Sequence, residues 1–279
     1  MKNSIGKFKP ENRIFLAPME EINDIAFRLL CKKAGCAVTY TGMINPRTEQ
    51  KIYLDDRPAL QLFCTNTKGI KEFVKKHDKE VSFWDFNLGC PAKTAKRHAF
   101  GSFLKDLKLI EEILKTIREN TKKPLTIKIR KSDIAFDLLN LAEKYCDAIC
   151  IHPRTQAQGY SGLPDIKFAE KLKSKTNLPV IYSGNVNEEN CKELLDKFDF
   201  IMIGREAIGR PEIFAKLTKT KFEKSFSDYL ALAEKYKILF PQLKLQAMNF
   251  TKGIRDSAKL RLKIANMKNI TELENINKK

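Results

Sequence analysis

Cys90 stands where a reacting thiol could act. It follows the apolar run 82–88 and Gly89, so it begins the segment that leaves a predicted strand. An unperturbed thiol has a pKa near ~8.5 and is mainly protonated at neutral pH, which suits a general acid as well as a nucleophile. The segment that follows, 92–103, carries Lys93 and Arg97 and could form a lid over a site. The alternative is a structural role, which most free cysteines have.

Two polar residues interrupt apolar runs. Gln61 lies within Leu-Gln-Leu-Phe, and Lys128 lies within Leu-Thr-Ile-Lys-Ile-Arg. A buried amide needs hydrogen-bond partners, which for Gln61 are either neighbouring side chains or the polar edge of a bound ring. A buried lysine is costly unless an anion pairs with it. For Lys128 we favour a negatively charged ligand group over an internal salt bridge with Asp85.

Three later runs end in residues that suit an anionic ligand. One of the chain's three histidines, His152, ends a run and is followed closely by Arg154. A lone histidine is usually structural, but an arginine beside it at a strand end favours a ligand site.

The next two runs are followed by glycines. Ser183-Gly184-Asn185 ends one run, and Gly204-Arg205 ends the other. Glycine exposes backbone N–H groups to a phosphate, and arginine supplies a counter-charge. Two ordinary tight turns are the alternative, but their occurrence in these two loops favours a phosphate site.

Eight apolar runs, alternating with charged amphipathic segments, must position these residues. The runs are 14–19, 37–44, 59–64, 82–88, 125–130, 148–152, 180–183 and 200–204. Helical patterns follow most of them, at 24–34, 66–77, 107–120, 133–145, 165–176 and 187–197, whereas the link 46–58 is not helical. Eight such units in about 210 residues favour an α/β fold of the (β/α)8 TIM-barrel type over an open doubly wound sheet. No GxGxxG follows the first run, which also argues against the open sheet.

The strand pattern stops near residue 222. Periodic segments at 229–240 and 245–266 predict two helices. We therefore expect a barrel domain over residues 1–222 and a small, basic C-terminal helical domain over residues 223–279. In a barrel of this type, reacting groups lie where the strands end, which is where the residues above are found.

The charge distribution indicates a polyanionic partner. The net charge is +18, and residues 216–279 hold 15 Lys and Arg against 6 Asp and Glu. A positive surface of this kind attracts phosphates and speeds association with nucleic acid. A general lysine bias of the proteome is the alternative.

Other features narrow the class of protein. The seven cysteines form no CxxC pair, which argues against a disulfide framework or a zinc site. No uncharged stretch approaches the ~20 residues of a membrane-spanning helix. Residues 1–13 also lack the apolar run of a secretory signal. We expect a cytoplasmic monomer with no metal and no membrane contact.

Together the motifs resemble the tRNA-dihydrouridine synthase family. Those that carry the resemblance run in order through the predicted barrel: Ala17-Pro18-Met19, Gln61-Leu62-Phe63, Asn87-Leu88-Gly89-Cys90-Pro91-Ala92-Lys93, Lys128-Ile129-Arg130, His152-Pro153-Arg154-Thr155, Ser183-Gly184-Asn185-Val186, Met202-Ile203-Gly204-Arg205 and Pro211-Glu212-Ile213-Phe214. The string around Cys90 is the most specific of them.

The resemblance implies an FMN-binding barrel followed by a helical tRNA-binding domain. The implied flavin contacts are Pro18, Met19, Glu20 and Gln61 at the isoalloxazine, Lys128 at its pyrimidine edge, His152 along the flavin, and Ser183, Gly184, Asn185, Gly204 and Arg205 at the phosphate. The implied substrate-side residues are Cys90 as general acid, Asn87 and Arg154 near the uridine, and Lys93 and Arg97 on the RNA backbone. The family usually has Asn-Gly-Asp where this chain has Ser183-Gly184-Asn185, so side-chain contacts at 183 and 185 differ.

The implied reaction reduces the C5–C6 double bond of a uridine in tRNA. NADPH or NADH reduces FMN, the base takes a hydride at C6, and Cys90 donates a proton to C5. One alternative is an FMN barrel enzyme acting on a free pyrimidine-like metabolite, against which the basic C-terminal segment and the Cys-Pro-Ala-Lys lid speak. A non-catalytic RNA-binding barrel is the other, and it would not need the polar set Gln61, Cys90, Lys128 and His152.

Overall fold

Eight parallel strands form the centre of the molecule in a computed structural model that describes residues 1–223 and 226–274. The strands are β1 (Ile14–Leu16), β2 (Tyr40–Ile44), β3 (Ala59–Leu62), β4 (Phe83–Leu88), β5 (Leu125–Arg130), β6 (Ala148–His152), β7 (Val180–Ser183) and β8 (Phe200–Ile203). Their order in the sheet is β1-β8-β7-β6-β5-β4-β3-β2. The barrel closes next to β2, where the Leu16 N–H donates to the Val38 carbonyl at 2.9 Å and the Ala37 N–H donates to the Ile14 carbonyl at 3.1 Å. The (β/α)8 prediction is confirmed.

Helices cover the outside of the barrel and continue beyond it. Those in the barrel part are α1 (Ile25–Lys33), α2 (Ile70–His77), α3 (Lys93–Arg97), α4 (Leu107–Glu119), α5 (Ala135–Tyr145), α6 (Ile166–Lys173), α7 (Cys191–Lys197) and α8 (Glu212–Thr218). The link 45–58 between β2 and β3 contains no helix, as predicted. The segment 92–103 after Cys90 contains the short helix α3 and a 3-10 turn at Gly101–Phe103. In the described ranges, no helix combines the length and apolar character needed to cross a bilayer.

Strand alternation divides the side chains into two sets. In β4, Trp84, Phe86 and Leu88 join the large apolar cluster that includes the surrounding helices. The opposite face points into the barrel, whose floor is aromatic: Phe15 stacks on Phe200 with ring centroids 5.1 Å apart. Because the strands are parallel and their carboxyl ends share one rim, the polar residues above this floor converge on the same mouth.

The C-terminal helices differ from the prediction in two places. They are α9 (Phe226–Lys235), α10 (Phe240–Phe250), α11 (Ser257–Asn266) and α12 (Ile270–Glu274). The predicted single helix 229–240 is wrong, because α9 ends at Lys235 and the chain turns at Lys237, which has φ 53°. Pro241 lies in the first turn of α10, where proline's missing N–H costs nothing.

The predicted helix 245–266 is also wrong, because it is two helices. α10 ends at Phe250 and α11 begins at Ser257, and the turn between them contains Gly253 and Asp256 with φ values of 82° and 55°. A left-handed residue cannot continue a right-handed helix. Of the predicted helical domain 223–279, residues 224, 225 and 275–279 lie outside the described residues.

The C-terminal helices sit directly on the barrel. Helix α9 packs along α1, and the backbone of α10 approaches Gly209 in the segment after β8. A Cβ atom at Gly209 would lie 2.0 Å from the Asn249 carbonyl oxygen, so only glycine fits there. Gly209 also has φ 65°, a conformation that side chains disfavour.

We predict that Gly209→Ala lowers the free energy of unfolding by ~3 kcal/mol or more, at the upper end of the cost of overpacking. The reason is that the added methyl group must displace the backbone of α10. Thermal unfolding followed by circular dichroism measures the change. Gly253→Ala is the matched control, since Gly253 has φ 82° and a Cβ atom there would meet no other atom within 4 Å, so only the ~1–2 kcal/mol of backbone strain applies. Equal losses in the two variants would contradict the close contact with α10.

Candidate active site

A chain of hydrogen bonds crosses the inside of the barrel. The buried carboxylate of Asp85 accepts from Gln61 Nε2 at 2.6 Å, and Gln61 Oε1 accepts from Asn87 Nδ2 at 2.7 Å. Thr126 donates to the other carboxylate oxygen of Asp85. Neighbouring side chains therefore engage the amide of Gln61, which was one of the two alternatives for this residue. Burial raises the pKa of Asp85 to about 7.

Asn87 carries this chain to the reacting loop. Its Oδ1 atom accepts from the Gly89 N–H at 3.1 Å and from the Cys90 N–H at 3.0 Å. On the other side of the loop, the Cys90 carbonyl accepts from the Ser102 N–H at 3.1 Å and from its hydroxyl at 2.8 Å. The backbone of Cys90 is thus fixed from below by the barrel and from above by the 3-10 turn.

The thiol of Cys90 is half-buried, while the other six cysteines are buried. Burial raises the pKa of Cys90, and the negative charge of Glu20 raises it further. Lys128 and Arg130 act in the opposite direction, but burial is the larger effect. Cys90 is therefore a thiol and not a thiolate at neutral pH, the form that a proton donor requires.

Lys128 points into the mouth from β5 without a partner. Among residues 1–223 and 226–274 it forms no hydrogen bond or ion pair, so the internal salt bridge with Asp85 is not made. Its charge still acts on the groups around it, since it lowers the pKa of both Asp85 and His152. A half-buried cation without a protein partner can form an ion pair with an anionic ligand group.

His152 at the end of β6 is a neutral hydrogen-bonding group. Burial, followed by the positive charges of Lys128 and three neighbouring arginines, lowers the pKa of His152 to about 2. Arg154 donates to His152 Nε2 at 3.1 Å, so the ring carries its proton on Nδ1. The histidine can therefore donate a hydrogen bond at any physiological pH.

Arg154 holds a loop in place. Its side chain is 1% exposed. It donates to the Gly162 carbonyl at 2.6 Å and to Asn185 Oδ1 at 3.0 Å. The implied contact between Arg154 and a uridine remains a prediction, and in this structure the guanidinium orders the segment 155–163 beside the mouth.

The ends of β7 and β8 form a corner suited to phosphate. Asn185 adopts φ 50°, a left-handed conformation that asparagine tolerates, and its Oδ1 accepts from Arg205 at 2.6 Å. Gly184 approaches the imidazole of His152, where a Cβ atom would lie 3.1 Å from the ring. Ser183 is buried at the end of β7, and Gly204 lies beside Ala17 and Met19.

The β1–α1 loop closes the remaining side of the mouth. It carries Pro18, Met19 and Glu20, and Glu20 Oε2 accepts from the Met43 N–H at 3.0 Å. Lys93 and Arg97 are the predicted residues that stand apart, because both are exposed on α3 and make no hydrogen bond to the other predicted site residues within the described ranges.

Two residues at the mouth were missed as site residues. Arg130, which belongs to a motif of the resemblance but was given no role of its own, donates to the Gly89 carbonyl at 2.7 Å and to the Gly159 carbonyl at 2.7 Å. It therefore links the Cys90 loop to the segment 155–163. Tyr160 lies between two cations, with Arg130 at 5.4 Å and Arg205 at 5.3 Å from its ring centroid. The alternation of β5 could have indicated Arg130, whereas a single tyrosine in a loop gives no periodic signal.

The comparison with known families decides what this barrel is. The family model described as dihydrouridine synthase matches residues 15–279. The chain belongs to the dihydrouridine synthase family. This family is one of flavin-dependent oxidoreductases, so the predicted family, enzyme class and activity are confirmed.

Curated relatives carry names that agree with this family. The tRNA-dihydrouridine synthase B of Pectobacterium carotovorum is 30% identical over 237 residues, which are 76% of this chain and 73% of the relative. A probable tRNA-dihydrouridine synthase of Rickettsia conorii is 32% identical over 247 residues, which are 79% of this chain and 75% of the relative.

Solved structures of other enzymes share the fold alone. The old yellow enzyme homologue from Zymomonas mobilis superimposes with a TM-score of 0.60 at 8% identity, covering 81% of this chain and 94% of that one. Morphinone reductase in complex with tetrahydroNAD gives a TM-score of 0.58 at 13% identity, covering 81% and 92%.

We predict that alkylation of Cys90 in this dihydrouridine synthase rises with pH around a midpoint above the ~8.5 of a free thiol, because burial favours the protonated form. Iodoacetamide labelling of the folded protein, read at the Cys90 peptide by mass spectrometry, gives the titration. Glu20→Gln should lower the midpoint, since it removes a negative charge that disfavours the thiolate. A midpoint below ~8 would contradict the proton-donor assignment.

Proposed function

We propose that this enzyme reduces the C5–C6 double bond of a uridine in tRNA, with FMN as cofactor and NADPH or NADH as reductant. One observation carries the proposal: the half-buried thiol of Cys90 lies close enough to Lys128 and Glu20 for their charges to act on it, at the same strand ends that form the corner of Gly184 and Arg205. The names of the curated relatives support tRNA as the substrate.

The residues at the mouth fit FMN. Gly184 and Gly204 leave bare backbone where a phosphate would approach, and Arg205 supplies a counter-charge beside them. Lys128 has no protein anion within the described residues, so it can pair with the electron-rich edge of a flavin ring. Pro18, Met19, Glu20, Gln61 and His152 would line the remaining flavin surface, with Ser183 and Asn185 at the phosphate.

The protein's part in the chemistry is proton delivery and orientation. Bound FMN would supply the reducing equivalents that it takes from NADPH or NADH. Cys90 would transfer its proton from Sγ to C5 of the base, and the resulting thiolate would recover a proton from solvent. The raised pKa keeps the proton on sulfur until the base needs it and makes the thiolate quick to regain one. Asn87 and Arg154 would orient the uridine or the loop beside it.

The C-terminal helices would bind the RNA. The side chain of Arg255, just before α11, is 99% exposed, and that of Lys259, in the first turn of α11, is 88% exposed. Exposed Lys93 and Arg97 on α3 offer further contacts next to the mouth. Phosphate contacts hold the RNA, while the target uridine must leave its stack to reach the barrel interior. We thus propose catalysis by residues 1–222 and tRNA binding by residues 223–279, in a monomer.

The proposal is tested directly by incubating the purified protein with FMN, NADPH and an unmodified tRNA transcript, and then mapping dihydrouridine. A colourless protein that refuses FMN, or an enzyme that reduces free pyrimidines and ignores tRNA, would contradict it. The basic C-terminal segment favours tRNA over a free metabolite, since a small substrate gives no role to 15 Lys and Arg between residues 216 and 279. Binding to tRNA that weakens steeply with salt would support this choice.

We predict that Cys90→Ala keeps FMN and loses reduction of tRNA by ~10²–10⁴-fold, because the proton donor is gone and the flavin contacts remain. Single-turnover assays with the visible spectrum as a measure of bound flavin separate the two effects. Cys146→Ala is the matched control, since that cysteine is buried where α5 ends, before the amino end of β6 and thus opposite the mouth. Full activity in Cys90→Ala would remove this thiol from the mechanism.

We predict that Lys128→Met weakens FMN binding by at least ~10-fold, which is the value of a hydrogen bond to a charged group. Titration of the flavin-free protein with FMN, followed by fluorescence quenching, measures the affinity. Lys122→Met is the control, because Lys122 is exposed just before β5. Should the two variants bind FMN equally well, Lys128 does not face the flavin.

A further inference from the structure

A single carboxylate joins the β1–α1 loop to the C-terminal helices. Asp24 Oδ1 caps helix α1 by accepting from the Phe27 N–H at 3.0 Å. Its Oδ2 atom accepts from Tyr229 of α9 at 3.2 Å, and from Gln242 and Gln246 of α10 at 3.1 and 2.8 Å. The Tyr229 and Gln246 side chains are fully buried in this contact. Four donors thus converge on one side chain.

The same two glutamines also hold the backbone of the loop. Gln246 Nε2 donates to the Ile22 carbonyl at 2.6 Å, and Gln242 Nε2 donates to the Glu21 carbonyl. Glu21 has φ 60°, a strained conformation that its surroundings must maintain. The contact therefore fixes the path of the loop as well as the position of the helices.

The barrel holds the loop from its other side. Asn23 is buried, and its Nδ2 atom donates to the Ala17 carbonyl and to the Tyr40 carbonyl, both at 2.8 Å. Residues 18–22 are therefore suspended between the barrel strands and the C-terminal helices. This stretch includes Pro18, Met19 and Glu20.

Only an acceptor-only side chain fits at position 24. The amide hydrogens of Gln242 and Gln246 also point at backbone carbonyls, so neither glutamine can turn its oxygen toward residue 24 without losing that bond. An asparagine at 24 would set its own NH2 group against these donors or against the Phe27 N–H. The isosteric change Asp24→Asn is therefore a specific probe of this cluster.

We propose that Asp24 is a positioning residue for the flavin site, through which helices α9 and α10 hold the Met19–Glu20 loop at the barrel mouth. This rests on the proposed function, in which that loop contacts FMN. The loop is close to the reacting centre, because Met19 neighbours Gly204 and the charge of Glu20 acts on Cys90. The C-terminal helices then serve catalysis twice, by binding RNA and by completing the cofactor site.

The test compares Asp24→Asn with Asp228→Asn in the full-length enzyme. Asp228 is the matched control, because it lies on α9 and pairs with Lys33 of α1 at 4.0 Å, but with both side chains largely exposed. We expect Asp24→Asn to weaken FMN affinity about tenfold and to lower kcat at saturating FMN, as expected when groups at a reacting centre are displaced. Affinity for tRNA should stay within about threefold of the control, since the basic surface is unchanged.

Gln246→Met provides a second variant if Asp24→Asn does not fold. It removes two donor contacts with a side chain of similar length and leaves the cap of α1 intact. We expect a smaller loss of FMN affinity in the same direction.

The outcomes separate this inference from the proposed function. An unaltered protein that binds FMN and makes dihydrouridine, with both variants matching Asp228→Asn in FMN affinity and kcat, overturns the role of Asp24 alone. A lower unfolding temperature with unchanged FMN affinity also overturns it, because the contact would then only dock the helices. Failure of the unaltered protein to bind FMN or to modify tRNA overturns the proposed function itself.

Discussion

The carboxylate of Asp85 lies inside a closed barrel, where water cannot satisfy it and the strand backbones are already paired. Burying such a group costs several kcal/mol unless side chains replace the lost hydrogen bonds. Gln61 and Thr126 do so, and Gln61 in turn engages Asn87. The layer of the barrel interior around Asp85 must therefore contain polar side chains, and each of them needs a hydrogen bond from its neighbour.

This series of hydrogen bonds from Asp85 through Gln61 to Asn87 determines where Cys90 lies. At one end Asp85 accepts hydrogen bonds, so Gln61 must present its NH2 group; at the other end two backbone N–H groups require the oxygen of Asn87. Both ends impose the same orientation on the amides between them. The backbone N–H of Cys90 is therefore held at a fixed position relative to the centre of the barrel, and the loop after β4 starts from that position.

The electrostatics of the mouth follow from competition between burial and charge. Lys128 and Arg130 favour a thiolate at Cys90, whereas burial, followed by the charges of Lys128 and three arginines, prevents a positive charge on His152. At the cysteine, burial outweighs those charges, so the thiol keeps its proton in a positive environment. The site thus offers a neutral proton donor beside cations that can meet an anionic cofactor, which is the combination that the proposed reduction needs.

Strand periodicity made much of this accessible from the sequence. Alternation predicts that Asp85 and Asn87 share one face of β4 and that Thr126, Lys128 and Arg130 share one face of β5, and the pattern of runs and helices predicts the barrel. The periodicity of the sequence does not predict contacts between segments that are far apart along the chain. Nothing in the sequence around residue 24 indicates partners at 229, 242 and 246, and nothing in the C-terminal segment marks the turn at Gly253, because a lone glycine within a helical pattern is often tolerated.

The residue at 185 shows how a local substitution can suit its surroundings. The motif that the resemblance implies has an aspartate at this position, whereas Asn185 accepts from both Arg154 and Arg205. An aspartate would orient the same two guanidinium groups but would also cancel part of their charge. The neutral amide keeps the geometry and leaves the positive field available to a phosphate. Arg154 also holds the segment that carries Tyr160 through its bond to the Gly162 carbonyl. The Asn185 amide, which orients Arg154 and Arg205, therefore helps to position both the proposed phosphate corner and the Tyr160 ring.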